Sequence, residues 1–327
     1  MTRAPRKRVL LTGAGGFIGQ RLATLLAGRS DLDVFAPGRA ELDLSDAHAT
    51  LRLVESLRPD VVLHLAAHTR GAAEMRARPA ATVRANLDPA YGIAHCLEAG
   101  LIGRLILAHS AGAYPRPRTL TPPRDWLQPA DLWAGPPAAG PYGLARRAVA
   151  ALLRESAQLG GVGFLELSLP TVYGPGDGGR AVDPAQVRAI PALALRTLAA
   201  AASGAAEVRH YGSGTEQRDF LHVDDAAAAF LAAMDAPSLD VERLHVSDGR
   251  AWTLAEVGAL IADAVGYRGT VGWQREAPPP EARDVVLLAP AGLGGIGFTP
   301  QRRLEDGIAE VVAELRRRLE RGGGRGA

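Results

Sequence analysis

Cysteine, lysine and long apolar runs are scarce in this chain of 327 residues. Cys96 is the only cysteine, which excludes an internal disulfide framework and any metal site built from several cysteines. No apolar run is long enough to span a membrane, and the basic N-terminus lacks the apolar stretch of a secretory signal. The net charge of +2 gives no argument for nucleic acid. We therefore expect a cytoplasmic protein that binds neither nucleic acid nor a membrane and holds no metal.

Lysine is replaced almost everywhere by arginine. Lys7 is the only lysine among 37 basic residues. This indicates a compositional bias, so an arginine at a position where a relative has lysine is weak evidence of a changed function. The bias matters for Arg146, which belongs to the predicted site.

The order of the predicted elements indicates an α/β protein. Apolar runs near 9–11, 32–35, 61–67, 105–107 and 164–167 alternate with helical patterns near 17–26, 47–57, 80–99 and 142–158. Such alternation is typical of right-handed βαβ units, and it predicts a Rossmann-type, doubly wound parallel sheet. Beyond about residue 173 the chain is punctuated by glycine and proline, which predicts a smaller α/β lobe.

Gly13, Gly16 and Gly19 form a glycine loop between the first strand and the first helix. The first glycine makes the tight turn, the second lets backbone N–H groups reach a pyrophosphate, and the third allows close packing of helix on strand. The position of this motif at a strand-to-helix junction near the N-terminus predicts dinucleotide binding.

The end of the second strand indicates which dinucleotide is bound. NAD sites usually place an acidic residue there, whereas this chain continues from Phe35 to Arg39 without one. A guanidinium can bind a 2′-phosphate with two hydrogen bonds, so NADP(H) is favoured over NAD. We thus predict an NADP-binding domain over 1–172, completed by about 219–248. The smaller, substrate-binding lobe comprises 173–218 and 249–320, and 321–327 is a disordered tail.

Three polar residues follow the later strands in a pattern that suits carbonyl reduction. Ser110 comes directly after the strand near 105–107, and Tyr142 and Arg146 lie one turn apart at the start of a predicted helix. Reducing a carbonyl requires a proton donor at its oxygen while hydride arrives at carbon. A tyrosine beside a cation can donate that proton, and a serine can bind the same oxygen.

These motifs resemble a known family. The glycine loop, Ser110 four residues before Tyr114, and Tyr142-x-x-x-Arg146 resemble the extended short-chain dehydrogenase/reductases, also called the NAD-dependent epimerase/dehydratase family. Within it, nearly the whole chain is similar to the GDP-L-fucose synthases. That similarity rests on 38–44 (GRAELDL), 65–71 (LAAHTRG), 141–143 (PYG), 172–177 (VYGPGD) and 212–225 (GSGTEQRDFLHVDD).

The resemblance and the motifs together imply a full set of site residues. The catalytic residues are Ser110, Tyr142 and Arg146. The cofactor site comprises Gly13, Gly16, Phe17, Ile18, Gly19, Arg39, Asp43, Leu44, Leu65, Ala66, Ala67, Tyr142, Arg146, Thr171 and Val172. The substrate, a nucleotide-diphosphate sugar, is bound by His68, Ser110, Gly112, Arg188, Arg196, Arg218 and Arg283. The resemblance also implies a homodimer.

Four positions depart from the family's pattern. Arg146 stands where the family has its catalytic lysine, and Thr171 where it has an asparagine. The family's epimerase acid/base pair, a cysteine and a histidine, corresponds to Gly112 and Arg188. Glycine has no titratable group and arginine stays protonated, so neither can exchange a proton.

The predicted function follows from these matches and departures. We expect NADPH-dependent reduction of the C4 ketone of a nucleotide-linked 4-keto-6-deoxyhexose, without epimerisation at C3 and C5. One alternative is a bifunctional GDP-L-fucose synthase or another nucleotide-sugar epimerase/dehydratase, in which His68 or His109 supplies the missing acid/base groups. An alternative of another class is a non-catalytic NADP-binding sensor, against which the retained Ser110 and Tyr142 argue.

Overall fold

The computed structural model describes residues 6–69, 72–179, 187–237, 242–274 and 286–323, together with 181, 183 and 184. The strands are β1 (Lys7–Thr12), β2 (Leu32–Phe35), β3 (Val61–His64), β4 (Arg104–Ser110), β5 (Trp126–Leu127), β6 (Gly163–Leu169), β7 (Thr171–Tyr173), β8 (Glu207–Tyr211), β9 (Gln217–His222), β10 (Arg243–His245), β11 (Ala251–Thr253), β12 (Thr270–Gln274) and β13 (Leu287–Leu288). The helices are α1 (Phe17–Ala27), α2 (Ala47–Leu57), α3 (Ala72–Ala77), α4 (Pro79–Glu98), α5 (Gly140–Leu159), α6 (Ala189–Ser203), α7 (Val223–Asp235), α8 (Leu254–Val265) and α9 (Leu304–Gly323).

A six-stranded sheet in the order β2-β1-β3-β4-β6-β10 forms the centre of the larger lobe. All five pairings are parallel, so the carboxyl ends of the strands share one edge. The chain leaves β1 for β2 on one side and then crosses to β3 on the other. The order therefore reverses between β1 and β3, the place where doubly wound sheets open a crevice for a ligand.

Helices cover both faces of this sheet. On one face α1 and α7 bury Leu22 and Phe230 against the strands, and on the other α2, α4 and α5 bury Val54, Ile93 and Val149. Because the strands are enclosed on both sides, they are nearly continuously apolar, as parallel strands usually are. The predicted Rossmann-type fold is confirmed.

The second lobe is built around its own apolar core. Helices α6, α8 and α9 contribute residues such as Leu198, Ile261 and Ile308 to this core. Two small sheets accompany them, β8 with β12 and the three-stranded β11-β9-β7. Between these elements the chain returns to the large lobe, where α7 packs on α1 and β10 pairs with β6.

The C-terminal helix is longer than the sequence suggested. Helix α9 continues to Gly323, three residues into the segment predicted to be a disordered tail, and 324–327 lie outside the described residues. Within the described part of the chain, no helix combines the length and apolar character needed to cross a membrane.

Candidate active site

The glycine loop lies at the crevice between β1 and β3. Gly13 has a φ of +76°, and a Cβ there would lie 2.7 Å from the backbone nitrogen of Ala66 at the end of β3. A Cβ on Gly19 would lie 2.0 Å from the carbonyl oxygen of Gly13. Side chains are therefore excluded where the loop, the helix and the neighbouring strand meet.

Helix α1 leaves its first N–H groups without a side-chain cap. Gly16 is the N-cap residue and no side chain caps the helix, and the first turn contains no acidic residue. Unsatisfied N–H groups and the positive end of the helix dipole together favour an anion. This part of the chain thus fits the pyrophosphate of a dinucleotide, with Phe17 and Ile18 in the first turn.

The segment after β3 is fixed by a residue that the sequence did not single out. The buried Asn86 on α4 accepts a hydrogen bond from the His68 nitrogen at 3.0 Å and donates one to the His68 carbonyl at 3.1 Å. Leu65 and Ala66 lie under Gly13, and Ala67 is exposed beside them. Asn86 therefore fixes the backbone of His68, the last of the predicted site residues 65–68.

Ser110 and Tyr142 meet across Gly112. A Cβ on Gly112 would lie 3.5 Å from Ser110 Oγ and 3.9 Å from Tyr142 Cδ1. Ser110 ends β4, and its Oγ accepts a hydrogen bond from the Gly112 nitrogen at 3.1 Å. Gly143 packs so closely on the carbonyl oxygen of Gly112 that its own Cβ would lie only 2.3 Å away. These contacts bring the serine and the tyrosine to the same edge of the sheet.

The guanidinium of Arg146 lies inside the protein. The residue is 2% exposed, its Nη2 donates a hydrogen bond to the Ala108 carbonyl, and its Nη1 has no hydrogen-bond partner among the described residues. Its charge also disfavours protonation of His64, whose pKa burial lowers to about 3. The cation therefore lies one helical turn beyond Tyr142, under the sheet edge.

Gly112 and Arg188, where the resemblance places the epimerase acid/base pair, make other contacts. A Cβ on Gly112 would come within 2.7 Å of the Ala139 side chain, so a cysteine there requires a rearrangement. Arg188 is bound to Asp177, with Nη2 and Nε at 2.6 and 2.8 Å from Oδ1, and its guanidinium stacks 5.1 Å from the Phe17 ring. Arg188 therefore lies beside the glycine loop as a paired cation.

The residues predicted for the adenosine end of the cofactor lie after β2. Arg39 is exposed and makes no hydrogen bond or ion pair with any described residue. Asp43 is exposed and its Oδ1 accepts from the Ser45 nitrogen at 3.0 Å, while Leu44 is half-buried. Glu41 is engaged with the Gly38 nitrogen at 2.7 Å. Arg39 is accordingly available for an anion.

The remaining predicted residues belong to the second lobe or border it. Arg196 on α6 stacks 4.0 Å from the Tyr211 ring. Arg218 on β9 is half-buried, and burial lowers its pKa. Thr171 and Val172 form β7, which pairs with β9. Arg283 lies outside the described residues.

His109 points away from Ser110. On β4, Leu105 and Leu107 face α4 and α5, whereas Ile106 faces α1 and α7. Because side chains alternate along a strand, His109 shares the face of Leu107 and Ser110 the opposite one. His109 is thus separated from the serine, while His68 remains at the sheet edge. In the described part of the chain, no group of His, Cys, Asp and Glu residues is arranged to hold a metal ion.

The loop between Ser110 and Tyr142 is anchored by two residues that the sequence did not reveal as site residues. Tyr114 is fully buried, and its hydroxyl lies 2.7 Å from His245 Nε2 and 3.3 Å from Ser168 Oγ. Arg147, next to Arg146 on α5, donates from Nε to the Ala113 carbonyl at 2.5 Å. The loop is therefore held from both the sheet and the helix.

Comparison with known proteins identifies the family of this chain. Residues 9–247 match the NAD dependent epimerase/dehydratase family. The chain belongs to this family. Its glycine loop, Ser110 and Tyr142 lie within the matched residues, which confirms the predicted family membership.

Individual relatives of the family align over nearly the whole chain. The GDP-L-fucose synthase of Escherichia coli (strain K12) is 29% identical over 316 residues, which cover 94% of this chain and 95% of that protein. The GDP-L-colitose synthase of Yersinia pseudotuberculosis is 23% identical over 309 residues, covering 93% and 96%. The crystal structure of a GDP-D-glycero-L-gluco-heptose synthase from Campylobacter jejuni, in the presence of NADPH, superposes with a TM-score of 0.83 at 20% identity and covers 97% of this chain and all of that one.

Proposed function

We propose that this protein is an NADPH-dependent reductase of the C4 ketone of a nucleotide-diphosphate-linked 4-keto-6-deoxyhexose, and that it lacks 3,5-epimerase activity. Several relatives are named as synthases of GDP-linked sugars, which supports the substrate class. The observation that carries the proposal is the meeting of Ser110 Oγ and Tyr142 across Gly112, beside the glycine loop's crevice.

The reaction adds a hydride to C4 and a proton to the C4 oxygen. Bound NADPH would supply the hydride. The Tyr142 phenol would donate the proton, and the Ser110 hydroxyl would bind the same oxygen as negative charge develops on it. Arg146 places a buried positive charge one turn from Tyr142 in the same helix.

The residues present fit NADP(H). The open first turn of α1 suits the pyrophosphate, and the exposed Arg39, which has no ion pair with any described residue, suits a 2′-phosphate. Asp43, Leu44 and 65–67 would border the adenosine and the ribose, and Thr171 and Val172 the nicotinamide side.

Arg39→Ala is expected to erode the preference for NADPH over NADH. A hydrogen bond to a charged group contributes about 1.5–3 kcal/mol, so the ratio of the two dissociation constants should fall by roughly tenfold to a hundredfold. Titration calorimetry with both cofactors measures this ratio. Arg52→Ala, an exposed arginine on α2, is the control and should leave it unchanged. An unaltered ratio in Arg39→Ala would refute the role of this guanidinium.

The absence of epimerisation is supported by how three residues are engaged. Gly112 carries no acid or base, and Arg188 is paired with a buried carboxylate, Asp177. His109 lies on the sheet face opposite to Ser110. The two positions of the family's acid/base pair therefore offer no group that can abstract a proton beside the ketone, and of the two histidines considered for this role His68 alone lies at the sheet edge.

Arginines of the second lobe support a diphosphate-linked substrate. Arg196 lies on α6 and Arg218 on β9, and guanidinium groups bind phosphate oxygens with two parallel hydrogen bonds. With Arg188 and His68 they are the described residues that we propose for the nucleotide diphosphate and the sugar, and Arg283, proposed from the sequence, lies outside the described residues.

Oxidation of NADPH is the test of this function. Purified protein is incubated with NADPH and either GDP- or dTDP-linked 4-keto-6-deoxyhexoses, and the loss of absorbance of NADPH is followed. We expect turnover with at least one of these sugars. Binding of NADPH with no oxidation by any of them would instead support the non-catalytic sensor.

The homodimer and the cytoplasmic location stay predictions, which light scattering and cell fractionation would test.

A further inference from the structure

A buried polar cluster lies beneath the candidate active site, on the sheet face covered by α5. We define it as His109, Glu166, Ser168, Arg243, Tyr114 and His245. Glu166 is 0% exposed, and it accepts hydrogen bonds from Arg243 Nε at 2.5 Å and from Ser168 Oγ at 3.1 Å. Its Oε1 also lies 3.1 Å from His109 Nδ1. The proposed reaction uses none of these six side chains.

The register of three strands assembles the cluster. Glu166 on β6 is paired with Arg243 on β10, and Ser168 is paired with both His109 on β4 and His245 on β10. Side chains at paired positions of parallel strands lie on the same face. On this face of the sheet, the apolar side chains of Leu105 and Leu107 are therefore followed, toward the carboxyl edge, by the hydrogen-bonding side chains of the cluster.

His109 contacts α5, the helix that carries Tyr142. Its Nε2 lies 3.2 Å from the main-chain oxygen of Arg146. A carbonyl oxygen can only accept, so this contact is a hydrogen bond when Nε2 carries a proton. On the other side of the ring, Nδ1 faces a second acceptor, Glu166 Oε1, at 3.1 Å. Burial lowers the pKa of His109 to about 4, and the Glu166 carboxylate opposes that shift.

The accepting carbonyl lies one turn after Tyr142 in the same helix. His109 and Ser110 are consecutive residues at the end of β4. His109 contacts α5, and Ser110 would face the reacting carbonyl. Other hydrogen bonds also join the start of α5 to the end of β4 and the loop after it: Ala139 N donates to the Gly112 carbonyl at 2.9 Å, and Arg146 Nη2 donates to the Ala108 carbonyl. A hydrogen bond from His109 to the helix backbone is directional, and it fixes the helix along its axis.

We propose that His109 is a positioning residue, which holds the first turns of α5 so that Tyr142 and Ser110 reach the same carbonyl oxygen. Glu166 and Arg243 keep the His109 ring in place. Where turnover is used as the readout, this inference rests on the proposed reductase function. Displacement of a catalytic group by about 1 Å can cost on the order of a hundredfold in rate, which sets the expected scale.

The test compares two replacements of His109 that fill similar space. His109→Gln retains an N–H that can donate to the Arg146 carbonyl, and His109→Leu does not. We expect kcat of His109→Leu to fall by about tenfold to a hundredfold with the KM for NADPH within about threefold of wild type. His109→Gln should recover most of that loss. Ser156→Ala is the control, because Ser156 lies on the same helix and binds Glu98 at 2.8 Å, far from Tyr142.

Hydrogen exchange measured by mass spectrometry gives a readout that does not need turnover. In His109→Leu the amides of 140–146 should exchange faster than in wild type, and in His109→Gln they should return toward wild type. Ser156→Ala should affect only the C-terminal turns of α5. Equal exchange in the Leu and Gln variants would overturn the positioning role, whether or not wild type reduces a keto-sugar. Where wild type turns over, equal kcat in the two variants would overturn it as well. Wild type without turnover, but with the expected exchange pattern, would contradict the proposed function alone.

Discussion

Tyr142→Phe is expected to lower kcat by roughly 10²–10⁴-fold, because general acid catalysis by a positioned side chain contributes on this order. The phenylalanine ring keeps the contact with Gly112 and removes only the hydroxyl that donates the proton. Binding of NADPH should therefore remain close to wild type. Single-turnover kinetics and fluorescence titration with NADPH separate the two effects.

A tyrosine outside the site provides the control for this variant. Tyr91 on α4 is 47% exposed, so Tyr91→Phe should leave both kcat and NADPH affinity unchanged. Normal turnover by Tyr142→Phe would show that another group donates the proton. A parallel loss of NADPH binding would indicate a disturbed fold instead of a lost acid.

Gly19→Ala is expected to abolish useful cofactor binding. Its Cβ would lie 2.0 Å from the Gly13 carbonyl oxygen and 2.9 Å from Ala14 Cα, and both are backbone atoms that move only with the loop. Moving the loop misaligns the N–H groups intended for the pyrophosphate. Loss of two charge-assisted hydrogen bonds at about 1.5–3 kcal/mol each corresponds to a weakening by on the order of a hundredfold or more.

The same loop offers a matched glycine. A Cβ on Gly15 would meet nothing within 4 Å, so Gly15→Ala should bind NADPH nearly as well as wild type. Calorimetric titration of both variants gives the comparison, and their melting temperatures show whether each is folded. Similar affinities for Gly19→Ala and Gly15→Ala would contradict the assignment of the loop to the cofactor.

Local sequence signals were sufficient for the fold and for part of the site. The glycine loop is contiguous, and its function depends on a junction of strand and helix that alternating apolar patterns already predict. Ser110 and Tyr142 could also be proposed as catalytic residues from the sequence, because each stands next to an element boundary. The structure adds that Gly112 separates them and that Gly143 permits their approach.

The rest of the site depends on contacts between distant segments. Asn86 fixes the backbone of His68 only because α4 crosses the end of β3. Glu166 meets Arg243 only because β10, 77 residues later, joins the sheet beside β6. The burial of Arg146 could not be predicted either. Helical spacing indicates that Tyr142 and Arg146 share a face of the helix, but it does not indicate whether that face is buried.

Reduction at C4 without epimerisation is tested by running the reaction in heavy water with NADPH and a nucleotide-linked 4-keto-6-deoxyhexose and examining the product by NMR. We expect one new carbinol at C4 and no deuterium at C3 or C5 above a control without enzyme. This result is expected because Gly112 and Arg188 cannot exchange protons and His109 faces away from Ser110. Deuterium at C3 or C5 above that control, or a product whose C4 is still a ketone, would contradict it.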